Sequence, residues 1–368
     1  MARTQYNPSN PRSLNRLCAT IRAHRRPWRE FVDRYLLNVR EILGMNYSSN
    51  GTPDRRPINL VHLERTILLQ NLVVENPRVL VTTDDVRLLP AARMREMVAN
   101  RRIKSSRLAE SIRTALSHAY FLMGVIKTGV TSDGVVDIGG TNHEVGAPFA
   151  DPVSPENFGF DFDAPSWNRI RFCYDRYVMD YDAVMESDLY DKRGRDALSP
   201  IEDGQRDDDG GETARSLSAD PRSSEESFGR IVKPMDVWLP NEKLLITLPS
   251  DKVLSGGDAI PLRVQEWTGD PNGMYHRLSL DDAPDQLVPL APVMQTLDMQ
   301  HSTNVMLNKY LRQVIDLKTN PVFGGGAEKD MQRIVSAPDG VGIRVDNPDR
   351  IKMIQSGNPD PRLQAAVI

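Results

Sequence analysis

Apolar residues recur every three or four positions over several long stretches of the chain, which is the spacing of amphipathic helices. These stretches are residues 13–44, 58–76, 84–126, 166–187 and 292–318. Pro27 is predicted to divide the first stretch into two helices, because proline suits the first turn of a helix and disrupts its interior. The part from 109 to 126 is the most apolar and is predicted to lie in the core.

Shorter stretches have the composition and turn signals of strands. They are 77–83, 230–240, 243–250 and 261–268, with two further candidates at 334–338 and 341–345. Residues 127–165 are rich in Gly, Pro and Asp and suggest only short β-like pieces. The pattern therefore predicts a mainly helical α+β protein with a β-rich region near 230–275.

Charge is distributed unevenly along a chain whose net charge is −4. Residues 1–40 carry nine Arg against two acids, and residues 87–113 carry eight Lys or Arg against two acids. Residues 193–229 carry ten acids against five Arg and few apolar residues, which predicts a flexible acidic insertion. The basic clusters fit either solvated helix faces or contact with nucleic acid, and the sequence leaves both open.

Several classes of protein are disfavoured. Two cysteines, Cys18 and Cys173, in no motif spacing argue against a disulfide framework and a cysteine-ligated zinc site. No apolar run approaches the roughly 18 residues that span a bilayer, and the N-terminal stretch does not resemble a secretory signal. These features favour an intracellular protein, or one made inside a cell such as a virion protein assembled in the host cytoplasm, with no membrane partner.

Catalytic signatures are also missing: the sequence has no P-loop, no GxGxxG after a strand, no HExxH and no GxSxG. His118 is predicted to be a core residue, and the adjacent pair His143 and Glu144 is only a weak metal signal. Asp161 and Asp163 would share one face of a strand, either as an acid pair or, more simply, as exposed edge charges. Gly324 to Gly326 fit a hinge better than a phosphate cradle. The sequence predicts no catalytic residue, no metal site and no cofactor.

The order of segments resembles the portal proteins of tailed bacteriophages, in the version found in short-tailed phages. The stretches that carry this resemblance are NLVHLERTILLQNLVVENPRVLVTT (59–83), 156–188, VWLPNEKLLITLP (237–249) and 275–325. The resemblance implies a ring, usually of twelve identical subunits, at one vertex of the capsid in the virion. Its implied partners are the major capsid protein, the terminase, head–tail adaptor and tail proteins, and double-stranded DNA that passes through the channel without sequence specificity during packaging and ejection.

The resemblance also implies a division of the chain into portal regions. These are a helical wing (1–165), a stem-type helix (166–192), the acidic insertion (193–229), a β-rich clip (230–275), a long stem or wing helix with a tunnel-type loop (276–330), and C-terminal wing strands (331–368). The chain stops before any helical crown, so the crown is expected to be missing from it.

Three groups of residues are the site candidates under this resemblance. His301, Asn304, Asn308 and Arg312 form a polar stripe at helical spacing, expected to face a neighbouring subunit or the channel. Met294, Leu297, Val305, Leu311 and Ile315 are expected to pack within the subunit. The tunnel-loop candidates are Lys318, Thr319, Asn320 and Lys329, and the clip aromatics Trp238 and Trp267 are either adaptor contacts or core residues.

Three other functions stay open. A head–tail adaptor or another ring-forming virion protein is the nearest alternative, although such proteins are usually shorter. A nuclease would need carboxylates clustered on structured elements to hold magnesium, and the densest cluster, Asp207 to Asp209, lies in the segment predicted to be flexible. A host-encoded scaffold protein is the third.

Overall fold

The computed structural model describes residues 10–42, 58–72, 77–138, 141–202, 230–270, 272–315, 318–323, 325–326, 328–336, 344, 346 and 351–356. Helices and sheets are both present, so the protein has a mixed α+β fold. The chain divides into two compact units. Unit 1 comprises Met1–Leu43 and Val61–Met294, and unit 2 comprises Gly44–Leu60 and Gln295–Ile368.

Long helices account for the apolar periodicity near both ends of the chain. The described helices are α1 (Pro11–Ile42), α2 (Leu60–Leu72), α3 (Leu89–Ser105), α4 (Leu108–Phe121), α5 (Tyr181–Glu186), α6 (Lys192–Asp196), α7 (Ser250–Ser255), α8 (Val293–Ile315) and α9 (Glu328–Ser336).

The strands of the described residues form four antiparallel sheets. They are β1 (Gly124–Ile138), β2 (Thr141–Val153), β3 (Phe158–Phe160), β4 (Cys173–Arg176), β5 (Met179–Asp180), β6 (Ile201–Glu202), β7 (Arg230–Val232), β8 (Pro234–Leu239), β9 (Leu244–Pro249), β10 (Arg263–Glu266), β11 (Tyr275–Leu278), β12 (Lys318–Phe323) and β13 (Ile351–Ser356).

Helix α1 is continuous through Pro27, so the prediction of two separate helices is wrong. Proline removes one backbone hydrogen bond and costs about 3 kcal/mol in a helix interior. The apolar positions on both sides of it form one buried stripe, which includes Ile21 before the proline and Trp28 and Val32 after it. Burial of both halves against the same unit offsets the lost bond.

The main core of unit 1 lies between α1 and a five-stranded sheet with strand order β10-β9-β8-β4-β3. Leu14, Cys18 and Ile21 of α1 pack in one cluster with buried side chains of the sheet, such as Met235 and Ile246. The strands predicted at 243–250 and 261–268 are confirmed. The one predicted at 230–240 is two strands, β7, which pairs with β5 and β6 in another sheet, and β8. Strands β8, β9 and β10 are not a separate inserted clip, however, because β3 and β4 complete their sheet and α1 covers it.

A long hairpin forms the second sheet of unit 1. Strands β1 and β2 pair antiparallel, and β11 pairs with the other edge of β1. Helix α4 packs on this sheet through Ala115, next to Ile126 and Ala150. The sequence predicted only short pieces between 127 and 165, and it extended the apolar helix to residue 126. The helix ends at Phe121, because the same apolar run continues as the first residues of β1.

Residues 166–187 do not form the predicted stem-type helix. A 3₁₀ turn at Trp167–Arg169 is followed by β4, β5 and the short helix α5, and Ser166 makes no side-chain cap hydrogen bond. All four residues of β4 are buried. A strand buried on both faces shows no strict alternation, so its apolar residues can match helical spacing by chance.

The predicted strand at 77–83 belongs to no sheet among the described residues. Its backbone is held by a side chain instead. The Val79 N–H donates to Asn100 Oδ1 at 2.9 Å, and the Asn100 amide donates to the Val79 carbonyl at 2.9 Å. Asn100 lies on α3, so an amide side chain satisfies the extended segment in the way a neighbouring strand would.

Unit 2 contains most of α8 and the β12–β13 pair. The helix predicted at 292–318 is confirmed over Val293–Ile315. The predicted tunnel-type loop, whose candidates run from Lys318 to Lys329, is wrong at both ends, since residues 318–323 form β12 and α9 begins at Glu328. The candidate strand at 334–338 is also wrong, because α9 runs to Ser336. Of 341–345 only residue 344 is described, outside any strand.

Candidate functional site

Asn304 lies on α8 and is bound within its own chain rather than presented to a neighbour. Its side-chain amide donates to the Ile58 carbonyl at 2.9 Å, and its Oδ1 accepts the Ile58 N–H at 3.1 Å. The residue is only 3% exposed. The prediction that Asn304 belongs to an inter-subunit stripe is therefore wrong. His301 and Arg312 are exposed and Asn308 is half-buried, so these three still fit that prediction.

Replacing Asn304 with alanine is expected to lower the free energy of unfolding by about 1–3 kcal/mol, because both bonds to Ile58 are lost. The particle mass should not change at a temperature where the variant is folded. Thermal unfolding and native mass measurement test both statements. The control His301→Ala, at an exposed position of the same helix, should change stability by less than about 0.5 kcal/mol. A lost assembly with unchanged stability would instead place Asn304 at a subunit contact.

Three of the five apolar residues of α8 that were predicted to be buried are exposed, whereas Leu297 is half-buried and the side chain of Ile315 lies outside the described part of the structure. Met294, Val305 and Leu311 were expected to pack inside the subunit, yet all three are exposed, Val305 by 55%. Met299 and Met306 are exposed on the same helix. Five exposed apolar side chains on one helix are unusual for a surface that stays in water, and such exposure typically marks a contact with another molecule.

The tunnel-loop candidates do not share a loop. Lys318, Thr319 and Asn320 are the first residues of β12, where they pair with Ser356, Gln355 and Ile354. Lys329 is an exposed residue of α9. The sequence signal for a loop came from Pro321 and the following glycines, but proline is tolerated in a strand at an edge.

The clip aromatics are mainly structural. Trp238 is buried in β8 and meets Trp267 edge to face, with ring centroids 5.4 Å apart. Trp267 is half-buried, and its Nε1–H donates to the Asp270 carbonyl at 2.7 Å. Of the two alternatives left open by the sequence, Trp238 is a core residue, and only Trp267 retains surface that a partner could touch.

A buried charge centre that the sequence analysis missed connects the two large sheets of unit 1. Lys127 of β1 places its Nζ 2.9 Å from Asp175 of β4 and 2.8 Å from Asp236 of β8. Asp175 and Asp236 are direct partners in the β4–β8 register. Two like charges opposite each other destabilise a sheet, and the ammonium between them offsets that repulsion. Its sequence signal was a lone aspartate inside each of two apolar strands.

Hydroxyl groups complete the charge centre. Thr247 Oγ1 donates to Asp236 at 2.7 Å, Tyr177 donates to the same carboxylate at 3.2 Å, and Tyr275 donates to Asp175. Burial raises the pKa of Asp175, and the neighbouring Asp236 charge adds to that shift. Burial acts to lower the pKa of Lys127, but the two carboxylates outweigh it and the net shift is upward. The centre therefore favours the charged form of Lys127 and disfavours the charged form of Asp175.

Asp161 is buried rather than an exposed edge charge. It follows β3 and accepts a two-point contact from the Arg171 guanidinium, with Oδ–N distances of 2.6 Å, and also the Arg171 backbone N–H. Its second neighbour is His24 of α1, whose Nδ1 accepts the Phe162 N–H at 3.0 Å. Asp163 is exposed, and its Oδ2 lies 3.6 Å from Nε2 of the same His24 ring, so both acids face this histidine although only Asp161 is buried. Although burial opposes it, hydrogen bonding to Arg171 lowers the pKa of Asp161 overall.

His118 is half-buried and its ring meets Tyr35 edge to face, but its Nδ1 is buried without a hydrogen-bond partner in the described structure, so the prediction of a core residue is confirmed only in part. Burial lowers the pKa of His118 to about 4, although a hydrogen bond with the Val153 backbone opposes the shift. A group whose pKa falls on folding stabilises the protein above its unfolded pKa, near 6.5. That contribution is lost as the pH drops from about 6.5 to about 4.

Acidification between these two pH values is expected to remove about 3 kcal/mol of stability through His118. Denaturant unfolding at a series of pH values measures this slope. The variant His118→Gln cannot ionise, so its stability should change less over the same window than that of the unaltered protein. His301→Gln, at an exposed histidine, should keep the full slope. Equal slopes for His118→Gln and the unaltered protein would contradict the account.

Helix α3 presents a second exposed apolar surface that the sequence analysis did not single out. Ala92 is its one buried residue among those described, whereas Met94 and Met97 are 68% and 73% exposed. Met94 and Met97, together with residues of the preceding turn, line an open groove of about 540 Å³. The lining residues are Val86, Leu89, Pro90, Arg93, Met94 and Met97.

Comparison of the sequence with protein-family models and with curated proteins finds no match. Among the residues that the structure describes, no group of three or more His, Cys, Asp or Glu is placed to hold a metal ion. Within the same residues, no helix is both long and apolar enough to cross a bilayer.

Proposed function

We propose that this chain is the subunit of a portal-type ring in a tailed-bacteriophage virion. In this proposal the ring is a conduit for double-stranded DNA during packaging and ejection. It also provides the docking surface for terminase, and later for head–tail adaptor proteins. The order of segments supports the proposal, because it resembles that of portal proteins over most of residues 28–326.

The observation that carries the proposal is the apolar surface of α8. A 23-residue helix exposes Met299, Val305 and Met306 to solvent while it buries Gln300 and Asn304. Exposing apolar side chains costs about 25 cal/mol for each Å² left in water, so this distribution favours a protein that covers the surface by association. In a closed ring of identical subunits, each copy meets its two neighbours through two different surfaces.

The overall charge is compatible with DNA passage. Each phosphate that a protein neutralises strengthens sequence-independent binding, which would hold DNA in place rather than let it move. A net charge of −4 suits a surface along which DNA slides, and in this proposal the basic clusters at 1–40 and 87–113 lie in the wing, away from the channel. In this proposal the chain has no catalytic role and needs no cofactor.

Negative-stain images of the purified protein test the proposal. The expected particle is a ring with a central hole. The variant Val305→Lys places a charge on the exposed surface of α8 and should reduce the fraction of rings. Ser302→Lys, at an exposed polar position of the same helix, is the matched control and should leave rings intact. Uniform small particles without a hole, at every salt and protein concentration, would contradict the proposal.

A further inference from the structure

The groove beside α3 has an apolar lining that includes one cation, Arg93. Its apolar lining includes Val86, Met94 and Met97, each at least two-thirds exposed. Residues 87–104 carry six Arg or Lys against one Glu, and Arg93 lies on the groove itself. An exposed apolar pocket with cations around it suits an apolar side chain flanked by carboxylates.

The groove is also held in shape before any partner binds. Asp85 caps the 3₁₀ turn that carries Val86, and its Oδ1 accepts the Arg87 N–H at 3.0 Å. The two bonds between Val79 and Asn100 fix the extended segment to α3. A site that is ordered in advance loses less entropy when it binds.

The same unit carries a turn whose chemistry complements that of the groove. Leu189 lies in the turn after α5 and is 69% exposed. Residues 180–191 contain five acids and no Lys or Arg, although Lys192 and Arg193 follow directly and Asp182 is paired with Arg230 at 2.6 Å. Those acids are Asp180, Asp182, Glu186, Asp188 and Asp191.

The turn that carries Leu189 is anchored on both sides. The Leu189 N–H donates to Ser187 Oγ at 3.3 Å, and the Asp191 N–H donates to the Leu262 carbonyl at 2.7 Å. The neighbouring Tyr190 is half-buried. Leu189 is therefore presented in a fixed position, as a side chain that fills a pocket needs to be.

We infer that Leu189 of one copy of this chain inserts into the α3 groove of a second copy, with its flanking carboxylates near Arg93 and the other basic residues of α3. The contact joins two different surfaces, so each copy uses its groove toward one neighbour and its Leu189 turn toward the other. Such head-to-tail contacts close into rings when the rotation between copies allows it. The inference rests on the proposed ring and names one of its contacts.

Disulfide trapping tests the contact directly. The variant that combines Met94→Cys and Leu189→Cys should form a ladder of covalent multimers on mild oxidation. The native Cys18 and Cys173 are buried and should not contribute. The control combines Met94→Cys with Val130→Cys, which pairs the groove with an exposed apolar residue on a different element, and it should stay monomeric on a denaturing gel.

Exchanging the charges of Arg93 and Asp188 tests the ionic part of the contact. Arg93→Asp and Asp188→Arg should each weaken self-association by roughly tenfold or more, and the double variant should recover part of the loss. Leu189→Asp should weaken it at least as much, and higher salt should weaken the unaltered contact. Circular dichroism of each variant separates loss of contact from loss of fold.

The outcomes are distinguishable. Rings that form normally in Leu189→Asp, with no cross-linked ladder, overturn this contact and leave the proposed ring standing. Absence of any ring in the unaltered protein overturns both. Binding of the groove to vesicles of anionic lipid, lost in Met94→Glu and without cross-linking between copies, would also overturn the contact, because it would assign the surface to a membrane.

Discussion

Replacing Lys127 with methionine is expected to lower the free energy of unfolding by about 3–5 kcal/mol at pH 7, which is the usual effect of breaking a buried ion pair from one side. Methionine has a similar length but no charge, so Asp175 and Asp236 would face each other across neighbouring strands without a cation. Chemical denaturation of the purified protein, followed by far-UV circular dichroism, measures the change.

The sign of the pH dependence follows from the two carboxylates. Burial already raises the pKa of Asp175 in the unaltered protein, and removing the lysine would raise it further. An acid whose pKa is raised on folding stabilises the protein at low pH and loses that contribution as the pH rises through the folded value. The stability gap between Lys127→Met and the unaltered protein should therefore narrow as the pH falls from 7 toward 4.

Two comparisons make this prediction specific. Lys192→Met removes an exposed lysine from the same unit and should change stability by less than about 0.5 kcal/mol. Adding Asp175→Asn and Asp236→Asn to Lys127→Met should recover part of the loss, because no unpaired charge then stays buried. A stability loss in Lys127→Met as small as that of Lys192→Met would mean that the centre does not join the sheets.

Replacing Trp28 with alanine is expected to cost about 3–5 kcal/mol, which is the usual range for a buried tryptophan. Trp28 is 2% exposed and lies on α1, where its ring meets Phe160 of β3 edge to face at 5.1 Å. Its Nε1–H donates to the Phe158 carbonyl at 2.8 Å and contacts the Pro155 carbonyl at 3.2 Å. One side chain thus connects the helix to the edge of the main sheet.

Trp28→Phe separates the two contributions. It keeps most of the packing and removes the N–H donor, so a loss of about 1–2 kcal/mol is expected from the carbonyl groups left without it. Thermal and denaturant unfolding of both variants give the comparison. Equal losses for the phenylalanine and alanine variants would show that the hydrogen bond, and not the ring, holds α1 to the sheet.

Periodicity predicted the long elements because each of them buries one face and exposes the other to solvent. Helix α1 buries Leu14, Ile21 and Trp28 along one stripe, and that stripe is visible in the sequence. The strands near 230–266 were predicted from their β-branched and aromatic residues between turn signals. In both cases the local pattern and the tertiary packing agree.

Elsewhere the decisive interactions join residues far apart in the chain. The run at 173–176 is a strand because β8 pairs with it, although β8 lies about sixty residues later. Asn304 was assigned to a partner-facing stripe because nothing local reveals that Ile58 binds it. Periodicity identified α8 as a helix, but it did not reveal which of its faces is covered, so the exposed Val305 was predicted to be buried.

The candidate contacts were predictable only in part, for a related reason. An exposed residue such as Leu189 has no sequence pattern that distinguishes it from a core leucine. The basic composition of α3 was evident, but the groove depends on how Val86 and Leu89 are placed beside it. Surfaces of this kind emerge only once the fold has placed the elements that form them.

Association of identical copies into a closed ring is the central claim of the account, and native mass spectrometry of the purified protein tests it most directly. The account predicts one dominant species with the mass of about a dozen copies, by analogy with the rings that the resemblance implies. This species should persist on dilution. The Val305→Lys variant should form species with fewer copies, whereas Ser302→Lys should keep the full number. A monomer or dimer, unchanged across salt and protein concentration, would contradict the claim.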